Sequence, residues 1–98
     1  MSAARLKQRR ATWDRMAWHT SEHGSSFVNV RGFNVVVYST RRGYGIKIEQ
    51  RFGDKWHFGT ERYHTRLAAQ LAAFDDLLAC EQRWGGNGRY DLTEGPRT

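Results

Sequence analysis

The chain has 98 residues, a single cysteine and a net charge of +6 from 16 basic and 10 acidic side chains. That length bounds it to one domain near the lower limit for a self-sufficient core. A lone cysteine excludes an internal disulfide, no apolar run approaches bilayer length and no signal-peptide pattern is present. The expected compartment is therefore a reducing cytoplasm.

Three regions follow in order: residues 1–25 as a basic N-terminal arm and loop, 26–84 as a sheet-plus-helix domain, and 85–98 as a flexible tail. The arm sets Arg5, Lys7, Arg9, Arg10 and Arg15 against Asp14 alone. Its first 18 residues can form a helix with Leu6, Trp13 and Met16 or Ala17 on one face. So short a helix needs a partner surface, supplied by its own sheet, by a protein or by phosphates. Fold-back onto the sheet, covering Val36 and Tyr38, is the favoured expectation, because Trp13 and Trp18 are large apolar groups in a polar segment. The stretch His19-Thr20-Ser21-Glu22-His23 matches a zinc-peptidase H-x-x-E-H spacing. That chemistry needs both histidines on one helix face, yet the segment runs into Gly24-Ser25-Ser26, so a loop and no metal site are predicted.

Phe27–Val30 and Phe33–Tyr38 read as strands around an Arg31-Gly32 turn, from their β-branched and aromatic content. After a turn at Arg41-Arg42-Gly43, Tyr44, Ile46 and Ile48 alternate with Gly45, Lys47 and Glu49, as in a half-buried antiparallel strand. A turn at Phe52-Gly53-Asp54 leads to Lys55-Trp56-His57-Phe58, with Trp56 and Phe58 on one face and assigned to the core. Thr65 is a helix N-cap, followed by an apolar stripe of Leu67, Leu71, Phe74 and Leu78. Ala68, Ala72 and Ala73 let this helix lie close on the sheet, and Trp84-Gly85-Gly86 ends it. Cys80, near the helix end, reads as a small packed hydrophobe. The predicted fold class is α+β: a three- or four-stranded antiparallel sheet with one C-terminal helix, Thr65–Arg83, packed on one face, and a basic N-terminal arm.

From Gly43-Tyr44-Gly45-Ile46-Lys47-Ile48, through Trp56-His57-Phe58-Gly59-Thr60, to Tyr63-His64-Thr65 and Ala68-Ala69-Gln70-Leu71-Ala72-Ala73-Phe74-Asp75, the chain resembles the AP2-like DNA-binding domain. That domain occurs at the amino end of phage-type integrases and in homing endonucleases. The resemblance covers residues 43–78, about a third of the chain. Glu61 and Arg62 are extra residues, and Val35-Val36-Val37 stands where the family has an arginine-rich strand. It implies that the sheet face away from the helix enters the DNA major groove. By strand parity that face carries Lys47, Glu49, Arg51, Lys55 and His57, with Asn34, Val36 and Tyr38 beside them. Lysine and arginine would then meet phosphates, and Asn34 or Arg51 base edges.

The expected function is a small non-catalytic nucleic-acid-binding protein of a phage or mobile element, using a basic sheet face on DNA rather than RNA. The candidate binding residues are Arg9, Arg10, Asn34, Tyr38, Arg41, Arg42, Lys47, Arg51, Lys55 and His57. The alternative is a phage-encoded, anti-CRISPR-like inhibitor that docks the same basic face on a nucleic-acid-handling nuclease complex. A third reading is an accessory protein that dimerises through its sheet. No phosphate loop, nucleophile elbow or spaced carboxylate pair is present, so neither an enzyme nor a cofactor is expected.

Overall fold

The computed structural model describes residues 2–51 and 55–84. The expected Phe52-Gly53-Asp54 turn and the tail at 85–98 lie outside the described residues. The elements run α1 (Ala3–Asp14), β1 (His19–Thr20), β2 (Ser26–Val30), β3 (Phe33–Thr40), β4 (Gly43–Gln50), β5 (Trp56–Phe58) and α2 (Arg66–Trp84). The five strands form one antiparallel meander in sequence order. The α+β class, with α2 on one face of the sheet, is as the sequence predicts. The sheet has one strand more than expected: His19 and Thr20, read as loop, pair with Phe27 and Ser26.

Local chemistry accounts for the turns. Arg31 (φ 51°) and Gly32 (φ 87°) both take left-handed backbone, as a two-residue hairpin turn of the kind that follows strand twist demands. Thr40 and Gly43 pair across Arg41-Arg42, and the Thr40 hydroxyl caps this turn by donating to the Gly43 carbonyl at 2.8 Å and accepting from the Arg42 amide at 3.0 Å. Gly43 is required twice over: its φ is 124°, and a side chain there would collide with the Tyr63 carbonyl oxygen. At the start of α2, the Thr65 hydroxyl accepts from the Ala68 amide at 3.0 Å, the predicted N-cap.

Val28, Phe33, Val35, Val37, Ile46 and Ile48 form the buried side of the sheet, against Ala69, Ala73, Phe74, Leu77 and Cys80. The helix is turned relative to the expected stripe. Leu67 is 61 % exposed and Leu71 and Leu78 are only half-buried, whereas Ala69, Ala73 and Leu77 are completely buried. Two alanines in the contact row bring the helix close to the sheet, and the longer leucines move to its flanks. Phe74 is buried as expected, but its ring packs on Trp13 at 5.7 Å and under the Arg10 guanidinium at 5.2 Å, not on Trp56 or Phe58.

The arm folds back, but onto α2 and not over Val36 and Tyr38. Ser2 caps α1 by accepting from the Arg5 amide. Trp13 is 3 % exposed, its Nε1–H donates to the Gln70 carbonyl at 2.7 Å, and Trp18 meets its ring edge-to-face at 5.5 Å. Arg9 donates both arms of its guanidinium to the two carboxylate oxygens of the buried Glu81, each at 2.8 Å. Bidentate geometry compensates a carboxylate that burial alone would penalise. Leu6 and Ala17 stay exposed, so the seam between the helices is made by Trp13, Arg9 and Arg10, with Met16 packed against the core beyond the end of α1.

Candidate nucleic-acid interface

With α1 and α2 both on one side, the other side of the sheet is open. Antiparallel pairing places directly opposed residues on the same face, so the register defines the open surface row by row. One row runs His19, Phe27, Val36, Lys47, Phe58; the next runs Asn29, Asn34, Glu49, Trp56; a third holds Tyr38 and Gly45. Trp56 is 57 % exposed and Phe58 54 %. His19 stacks on Phe27 with centroids 5.3 Å apart. The Tyr38 ring lies flat over Gly45, where a side chain would strike it, and the Arg62 guanidinium sits 5.9 Å above that ring. A shallow groove of about 540 Å³ is lined by Phe27, Asn29, Asn34, Val36, Glu49, Gln50, Arg51 and Trp56.

The face is therefore both aromatic and cationic. Its one described carboxylate, Glu49, is partnered on two sides: Lys47 Nζ lies 3.7 Å away and Asn34 Nδ2 donates to it at 3.3 Å. The cations of the face are Lys47, Arg51 at the groove and Arg62 over Tyr38, with Arg41 and Arg42 exposed at the β3–β4 turn and Lys55 exposed beside β5.

Of the residues expected to bind, Asn34, Tyr38, Lys47 and Arg51 come together on this face, and Arg41, Arg42 and Lys55 lie at its margins. Three are placed elsewhere. Arg9 is bound to Glu81, and Arg10 lies against Phe74 with Asp14 at 3.2 Å and Asp75 at 3.8 Å. His57 is a correction: it pairs with Ile48, which faces the helix, and its Nε2 lies 3.4 Å from Asp76 Oδ2 of α2. Trp56 and Phe58 are the converse correction, exposed on the open face instead of buried in the core.

A single residue of loop length separates the two arrangements. A turn confined to Phe52-Gly53-Asp54 sends Trp56 and Phe58 inward. Instead the Gln50 amide donates to the Lys55 carbonyl at 2.9 Å, and the Gly59 amide to the Ile46 carbonyl at 2.9 Å. Residues 51–54 thus separate the bonded pair, and every side chain of β5 changes face.

His19 lies in β1 with Glu22 and His23 in the turn after it, so the two histidines share no helix face. Among the described residues no three histidine, cysteine or acidic side chains converge to hold a metal, and no helix is long and apolar enough to cross a membrane. The Cys80 thiol is buried, and burial, with a lesser push from Asp76, raises its pKa to about 11. Burial also raises Tyr63, with Asp76 adding to the effect. No protein-family model, curated protein or solved structure matches the chain.

Proposed function

We propose that this protein is a non-catalytic nucleic-acid-binding domain that presents the open face of its sheet to a polyanion. The observation that carries the reading is the concentration of Lys47, Arg51 and Arg62 on the one sheet face that neither helix covers, around exposed aromatic rings. Cations on a rigid sheet attract phosphates without sequence preference, and the groups between them contact bases. The AP2-like resemblance supports DNA as the ligand, although the contact surface here includes Trp56 and Phe58, which strand alternation alone assigns to the core.

Titrating labelled DNA at several salt concentrations tests this. Each neutralised phosphate contributes a slope of about −0.9 on duplex and about −0.7 on a single strand. Replacing Arg51 and Lys55 together by alanine is expected to flatten the slope by about two contacts. Absence of binding to any nucleic acid at low salt overturns the proposal. It would favour the second reading, an inhibitor that docks on a nucleic-acid-handling enzyme, for which exposed Trp56 and Phe58 are suitable anchors.

A further inference from the structure

We infer that the open face takes single-stranded DNA, with bases stacked on Trp56 and Phe58. The inference rests on the nucleic-acid reading and specifies the form of the ligand. The two rings are alternate residues of β5, so they point the same way about 6.7 Å apart along the strand. Consecutive bases in a duplex strand are about 3.4 Å apart. One base on each ring therefore requires neighbouring bases drawn out to twice their stacked separation, which an unpaired strand permits and a paired one does not. Exposure of both rings fits this use, because a base needs a whole aromatic face and not an edge.

The surroundings suit the rest of a nucleotide. Lys47 stands directly across from Phe58, and Arg51 lines the groove beside Trp56, so each stacking position has a cation next to it. Glu49, across from Trp56, is held by Lys47 and Asn34 and so presents a compensated charge to an incoming strand. The groove continues from Trp56 over Val36 and Phe27, which offer an apolar floor to a sugar or a thymine methyl, while Asn29 and Asn34 line it with amides able to hydrogen-bond a base edge. The 5-methyl of thymine, which uracil lacks, is the group this apolar floor favours, and DNA is on that ground the preferred strand chemistry.

Trp56 is its own reporter. Trp13 is buried, and Trp18 and Trp84 are packed against the core, so Trp56 is the most solvent-accessible of the four indoles. Adding an oligothymidylate of roughly 12 nucleotides to the intact protein at low salt is expected to quench long-wavelength tryptophan emission. An oligothymidylate–oligoadenylate duplex of the same length is expected to bind at least tenfold more weakly. Trp56→Ala and Phe58→Ala are each expected to weaken single-strand binding by about 5- to 150-fold, the range of one lost stacking contact. Trp56→Phe is expected to keep the affinity and lose the quenching. Both rings are more than half exposed, so these variants should melt with the parent protein, as circular dichroism will report. Duplex binding as tight as single-strand binding, with unchanged emission, overturns the single-strand inference and leaves the broader reading standing. Tighter binding of oligouridylate than of oligothymidylate overturns the choice of DNA. Binding of neither strand form overturns both.

Discussion

Replacing Trp13 by alanine tests whether α1 is an integral part of the fold. The ring is 3 % exposed and touches Phe74 and Trp18, and its Nε1–H satisfies the Gln70 carbonyl at 2.7 Å. Truncating a buried tryptophan to alanine costs about 3–5 kcal/mol, through lost transfer energy and the cavity left behind. A domain of this size has only about 5–15 kcal/mol of stability in total, so the change removes about a fifth of it or more. Trp13→Phe keeps a ring between Phe74 and Trp18 and removes the donor, for an expected cost of about 1–2 kcal/mol. Urea titration followed by far-ultraviolet circular dichroism measures both without relying on tryptophan emission. A Trp13→Ala midpoint within about 1 kcal/mol of the parent at an unchanged m value would refute the integral role of α1. Fast amide exchange throughout residues 5–14 of the parent protein would refute it independently.

Two other buried groups give sharp expectations. Arg9→Ala strands the Glu81 carboxylate at 5 % exposure and should cost about 3–5 kcal/mol, whereas Arg9→Met combined with Glu81→Leu should recover most of that loss in the same urea assay. Cys80 should resist iodoacetamide at pH 9, where an ordinary thiol is mostly ionised, and react appreciably only as the pH approaches 11 in the folded protein.

The alternating strands were the most legible part of the fold. Val35, Val37, Ile46 and Ile48 go to the core as their spacing requires, because a half-buried sheet fixes parity over eight residues at a time. Thr65 could be read as a cap because the hydroxyl interaction is local. The phase of α2 was less accessible. Its sequence offers both a leucine row and an alanine row, and the choice depends on a second partner, α1, which occupies the Phe74 and Glu81 side of the helix. Strand β1 left no periodic trace, since it has two residues and both are exposed.

The candidate site turned on β5, where propensity and tertiary demand oppose each other. Hydrophobicity alone sends Trp56 and Phe58 inward, at a gain of about 1.5–3 kcal/mol for each side chain fully buried. On the inner side of this strand, however, α2 presents Asp76. Its Oδ2 lies 3.4 Å from His57 Nε2 and would come within 3.1 Å of a Cβ placed on Gly59. An indole in that position would displace the polar partner of a half-buried carboxylate, a loss comparable to the gain from burying the ring. The three-residue strand therefore turns its histidine to the helix and both large rings to the open face. Those rings leave apolar surface uncovered beside Lys47 and Arg51, and a ligand that is flat, apolar on its faces and anionic along its backbone covers both kinds of surface at once.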